Sequence, residues 1–195
     1  MKSRDNISKI KATLLYILNK IPSGADYIKI FKILYFAQQS HLVTYGRVIV
    51  DDSFRALKRG PVPSFLYKAL KSRENDSYET DDFKFCVNEI VVTDNGTIKL
   101  FLATALPDMD ELSKSDIKCL DKAIDDYKDI DSNVLSEMSH EDRAWIVANE
   151  RFNNDPGFRG IMTPIEIAES GGAKKGVVEF IRENQLIDNA LYYNE

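Results

Sequence analysis

The segment YIKIFKILYFAQQSHLVTYG, Tyr27 to Gly46, restricts the possible folds of this chain more than any other stretch. Ile28, Ile30, Phe31, Ile33, Leu34, Tyr35, Phe36 and Ala37 cover most of a helical circumference. The spacing therefore predicts a helix, running to about Thr44, that other elements must wrap. Asp26 is placed to cap its start, and Gly46 follows where the chain needs a left-handed residue. At 195 residues, 44% hydrophobic and 29% charged, the chain has the length and composition to build one core around such a helix. The continuation, RVIVDDSFRALKRGPVP, turns at Tyr45-Gly46 and ends in a basic loop punctuated by prolines. A buried helix feeding a restricted loop is a means of holding a surface feature rigid.

The remaining elements fall around that helix. Ile7, Ile10, Leu14, Ile17 and Leu18 predict a helix over Asn6 to Lys20, ended by Pro22-Ser23-Gly24. Arg47 to Val50 and Ser53 to Leu57 read as short strands about an Asp51-Asp52 turn, and Gly60-Pro61-Val62-Pro63 as a stop to regular structure. Residues 65–73 read as a helix, 74–82 as an acidic loop, and the alternation of Phe83, Phe85 and Val87 as a strand. Asn95-Gly96 between β-branched runs predicts a hairpin turn.

Ser113 opens a helix with Ile117, Leu120, Ile124 and Tyr127 inward and Lys118, Lys122, Asp125 and Asp126 outward. A short helix over Ser132 to Met138 follows, then one capped by Ser139, with His140 in its first turn and Trp145 and Ile146 inward. Residues 152–162 read as a loop, Thr163-Pro164-x-Glu166 as a helix start, Gly171-Gly172 as its end, and Val177 to Ile181 as part of a last helix. The expectation is an α+β fold, mainly helical with a small antiparallel sheet: one domain over 1–170, with a C-terminal helix in 171–195 packed on it.

The net charge of −5 conceals a strong asymmetry. Residues 1–73 hold 14 Lys/Arg against 4 Asp/Glu, and residues 74–142 hold 6 against 19. Either two faces of opposite sign await partners, or the two parts neutralise each other within the molecule. The start MKSRDNISKIK lacks a signal-peptide core, and the apolar run Ile33 to Ala37 is far short of the roughly 20 residues that span a bilayer. Cys86 and Cys119 read as reduced, buried thiols, so a cytoplasmic protein with no membrane contact is expected.

Signs of chemistry are sparse. His41 and His140 lie far apart, the cysteines lack metal-ligand spacing, and there is no GxxxxGK[ST], GxGxxG or GxSxG. The expectation is neither a metal, nor a cofactor, nor an enzyme. The basic run Arg55, Lys58, Arg59, Lys68, Lys71, Arg73, interleaved with Phe54, Phe65 and Tyr67, raises the alternative of a nucleic-acid-binding autorepressor using residues 53–73. Against it, Phe65 belongs to the core by its spacing, and residues 7–42 leave too thin a polar stripe for a recognition helix. Nucleic acid is the less favoured partner.

Three segments in register, KILYFAQQSHLVTYGR (32–47), FRALKRGPVPSFLYKAL (54–70) and LSEMSHEDRAW (135–145), resemble the Panacea domain of SocA-like antitoxins. The resemblance rests on Tyr35, Tyr45, Gly46, Gly60, Pro61, Pro63, His140 and Trp145, and it covers about residues 7–170. It implies a bacterial or phage antitoxin that neutralises, by direct binding, a toxin encoded by the adjacent gene. Some members hand a toxin to a protease as adaptors, and none is established as an enzyme on this domain. The motif residues read as structural. Arg55, Lys58, Arg59 and Lys68 on the basic side are the expected partner contacts. Lys122, Asp125 and Asp126 form a second candidate face, its carboxylates able to mimic nucleic acid.

Overall fold

The computed structural model describes residues 2–94 and 96–192. Helix α1 (Arg4–Asn19) is capped by Ser3 and buries Ile7, Ile10, Leu14, Ile17 and Leu18, as its spacing predicts. Helix α2 (Tyr27–Tyr45) starts at Asp26, whose carboxylate accepts the Lys29 amide at 2.8 Å, and ends at Gly46 with φ +65°. Ile30, Ile33, Leu34, Tyr35 and Ala37 are at most 1% exposed. Burying each large aliphatic side chain contributes about 1.5–3 kcal/mol, so α2 is the axis of the core. Around it pack α1, α5 (Lys114–Tyr127), α6 (Ser132–His140), α8 (Pro164–Ser170) and α9 (Lys175–Tyr192). At Gly46 a Cβ would lie 2.6 Å from a Phe180 ring carbon, so the missing side chain lets α9 cross the end of α2.

The fold is α+β and mainly helical, with two small antiparallel sheets among the described residues. β1 (Phe54–Leu57) lies between β2 (Gly60–Pro63) and β5 (Ile161–Met162). β3 (Ile90–Asp94) pairs with β4 (Lys99–Ala103) from Ile90–Ala103 to Asp94–Lys99, which is the hairpin the sequence predicts. Of its turn, Asn95 lies outside the described residues, and Gly96 has φ +82°. Phe101 bonds Ala25 through both backbone groups, tying this hairpin to the entry of α2.

Several expectations are corrected. Residues 83–87 form no strand; they lie in α4 (Asp81–Val87), because Thr80 caps it and Phe83, Cys86 and Val87 share a buried face at helical spacing. Arg47 to Val50 is not a strand. The buried Gln38 side chain accepts the Ile49 and Val50 amides and donates to the Val50 carbonyl, replacing a partner strand. Asp51-Asp52 is no hairpin turn. The Asp52 carboxylate takes the Phe65 and Leu66 amides at 2.9 Å each and caps α3 (Ser64–Glu74) from a distance. Burial still pushes its pKa up.

Ser139 caps nothing, and His140 is the last residue of α6 rather than in a first turn. Asp142 caps α7 (Arg143–Asn154), and Ile146 is exposed. Within 152–162, α7 extends to Asn154 and β5 is short but regular.

Candidate functional site: a clamped basic hairpin

Gly60-Pro61-Val62-Pro63 does not stop regular structure but forms β2, paired with β1 from Leu57–Gly60 to Phe54–Pro63. The alternation of that register turns the Pro61 and Pro63 nitrogens away from β1, the one orientation in which a strand loses nothing to proline. Backbone carbonyls near the turn are held from three helices. Trp145 Nε1 donates to the Leu57 carbonyl at 3.1 Å, Ser136 Oγ to that of Arg59 at 3.1 Å, and Lys32 Nζ to that of Pro61 at 2.9 Å. Gly60 has φ +96°, and a Cβ there would overlap Ser139 Oγ and lie 2.7 Å from Lys32 Nζ. The tip, Lys58-Arg59, is thus fixed in backbone while its side chains are exposed.

A second junction supports the first. Asp142 Oδ1 accepts Tyr35 Oη, Ser170 Oγ and the Ala144 amide, each at 2.9 Å, and Oδ2 accepts Gln39 Nε2 at 2.6 Å. One carboxylate joins α2, α7 and α8. Burial, and after it the Asp142 charge, raises the Tyr35 pKa. Trp145 stacks on His140 with ring centroids 4.2 Å apart. Tyr35 and Trp145 are packed side chains whose polar tips are bonded. His140 Nε2 and Arg55 Nε are buried without a partner.

Lys32 is the group that the sequence reading passes over as a site residue. It is 1% exposed, and burial lowers its pKa to about 7. Its only hydrogen bond in the described structure goes to the Pro61 carbonyl. The available signal is a lysine inside the most apolar run of the chain.

Beside the hairpin tip lies a groove of about 800 Å³, lined by Leu57, Val62, Tyr67 and Ile98 and by Lys29, Lys32, Lys58 and Arg59. Lys58 and Arg59 sit together on its wall. Lys68 is exposed on α3 but does not line it, and Arg55 is half-buried within β1 rather than exposed on the loop. Lys122, Asp125 and Asp126 lie on α5, where Lys122 pairs with Asp126 at 2.6 Å and Lys128 with Asp125 at 3.4 Å. Part of the charge asymmetry along the chain is neutralised internally: Lys9 pairs with Asp116, Lys11 with Glu89 and Lys20 with Asp121. Phe54, one of the aromatics of the nucleic-acid alternative, is 1% exposed and unable to stack on a base.

Both cysteines and His41 are buried. Burial pushes the Cys86 thiol up to about 12 and raises that of Cys119. His41, 2% exposed, bonds the Arg47 carbonyl through Nδ1 and faces Ser115 Oγ through Nε2. Among the described residues no three His, Cys, Asp or Glu are grouped as a metal would need, and no helix is long and apolar enough to cross a membrane.

The profile of the antitoxin SocA-like family, Panacea domain, matches residues 30–146. The chain belongs to this family. The matched span begins inside α2 and ends inside α7, so it encloses Lys32, the hairpin, Ser136, Ser139, Asp142 and Trp145. All three clamps on the hairpin therefore fall within the Panacea domain. No curated protein and no solved structure matches the chain.

Proposed function

We propose that this Panacea-domain protein is an antitoxin that neutralises a protein toxin by direct, non-covalent binding, and that the toxin is encoded by the adjacent gene. The family match carries the reading. The geometry agrees with it, because the matched residues spend their polar groups on fixing one hairpin and leave Lys58 and Arg59 facing outward. A preformed surface lowers the ordering cost of association, which suits stoichiometric neutralisation. Lys58, Arg59 and Lys68 are the favoured contacts. The self-paired outer face of α5, with Lys122, Asp125 and Asp126, is less so, since its charges already satisfy one another.

The test is co-expression with the neighbouring open reading frame in a host whose growth that frame arrests. Restored growth and co-purification of the two chains in fixed ratio are expected; growth that stays arrested overturns the assignment. Restored growth with loss of the toxin from the cell would make the protein an adaptor to a protease. A salt-sensitive gel shift on the protein's own upstream DNA, without rescue, would favour the autorepressor instead.

A further inference from the structure

We infer that the groove beside the hairpin binds an acidic amphipathic segment of a protein, with its apolar side chains on Leu57, Tyr67 and Ile98 and its carboxylates on Lys58 and Arg59. This deepens the antitoxin reading by giving the partner's chemistry, and it rests on that reading only for the partner's identity.

Three observations carry it. First, the groove exposes apolar surface inside a charged frame: Leu57 is 40% exposed, Tyr67 39% and Ile98 47%, large fractions for side chains that adjoin one another across one depression. Second, cationic side chains outnumber carboxylates along it. Lys71 and Lys99 share the single Glu74, while Asp26 and Asp131 keep their charge and accept the first amides of α2 and α6. Lys29 bonds only the carbonyls of Lys128 and Ile130, and Lys58 and Arg59 have no carboxylate within ion-pair distance among the described residues. A chain of net charge −5 has thus gathered an excess of cations at one apolar depression, with Lys58 and Arg59 unpaired at its rim. Third, the cations sit on a backbone clamped at three carbonyls, so a ligand meets them in place.

Nucleic acid fits less well. The exposed aromatic of the groove lining, Tyr67, is engaged edge-on with Tyr27 and Phe31, with centroids 5.9 and 6.1 Å away. The aliphatic walls offer no second stacking platform, and carboxylates of Asp26, Glu74 and Asp131 line the same depression. A phosphate backbone would meet those carboxylates, whereas a peptide can place its acidic and apolar groups separately.

The experiment titrates the isotopically labelled full chain, followed by amide NMR shifts, with three probes. These are a synthetic Glu- and Leu-rich amphipathic peptide, its Gln-for-Glu counterpart, and oligouridylate. The acidic peptide is expected to move the amides of residues 57–59, 67 and 97–99. Its affinity should fall about tenfold or more with the Gln peptide and with the double variant Lys58→Glu, Arg59→Glu, as it should when two charge contacts are lost. The control Lys174→Glu, Lys175→Glu, equal in charge change but on another face, should bind as the wild type does. Equal binding of the Gln peptide, shifts elsewhere, tighter binding of oligouridylate in the groove, or no binding at all each overturn the inference. The outcome does not depend on rescue of growth. A wild-type chain that rescues while the Lys58→Glu, Arg59→Glu variant rescues equally well removes the groove and leaves the antitoxin reading standing.

Discussion

Lys32 Nζ stands 2.9 Å from the carbonyl oxygen of Pro61, in a site that exposes 1% of the lysine. A buried amine with one neutral acceptor is more easily deprotonated than a free one, and its pKa is lowered to about 7. The unfolded lysine titrates near 10.4. Below about pH 7 the amine is charged in both states and the burial penalty is present in full. Between there and about pH 10 the unfolded chain holds the proton and the folded chain does not, so stability rises with pH. Relative to Lys32→Met, the wild type should gain up to about 1.4 kcal/mol per pH unit across that window. Urea unfolding of both chains at pH 6 and pH 9 measures it, and a pH-independent difference would mean that the amine keeps its proton.

Gly60→Ala should be far more damaging than Gly96→Ala, although both glycines have positive φ. At Gly96 nothing lies within 4 Å of an added Cβ, so only backbone strain of about 1–2 kcal/mol is added. At Gly60 the methyl overlaps Ser139 Oγ and crowds Lys32 Nζ, so the strain is joined by displacement of the clamp. A total loss of about 3 kcal/mol or more is expected, read as a drop in the urea midpoint.

Asp142→Ala removes the cap of α7 and leaves the buried Tyr35 hydroxyl without its acceptor. Cap loss costs about 0.5–2 kcal/mol and an orphaned buried hydroxyl about 1–3, so a destabilisation of about 2–4 kcal/mol should appear in equilibrium unfolding. Tyr35→Phe, which removes the donor and leaves a carboxylate with other donors, should cost about 1 kcal/mol.

Glu74 supplies an acid-side signature. Burial alone would raise its pKa, but Lys71, Tyr27 and Lys99 outweigh it and hold the carboxyl at about 2. Because the folded value lies below the unfolded one near 4.3, its stabilisation is complete above about pH 5 and is lost as pH falls towards 2. Glu74→Gln should therefore destabilise at pH 7 and matter little near pH 2, in parallel thermal melts.

The legible parts of this fold were the local ones. The α2 periodicity, the Thr163–Glu166 capping box and the β-branched runs either side of Asn95-Gly96 each carry their signal within a few residues. Phe83, Phe85 and Val87 misled because alternation is weak evidence over five residues, and the cap at Thr80 decides otherwise. The GPVP segment misled because proline breaks an interior strand and not an edge whose nitrogens face away. Most of the candidate site was invisible for another reason. The bonds from Lys32, Ser136 and Trp145 span 29, 77 and 88 positions, and Asp52 reaches α3 across 13, distances over which no local pattern reports a partner.

The two prolines of β2 also decide how another chain can approach. Along that margin the backbone has no amide hydrogen to offer at 61 or 63, and Lys32 already occupies the oxygen of Pro61. Main-chain zippering from outside is closed there, so neither fibre growth nor a borrowed strand can begin on it. Whatever docks along this margin of β2 must be read by side chains.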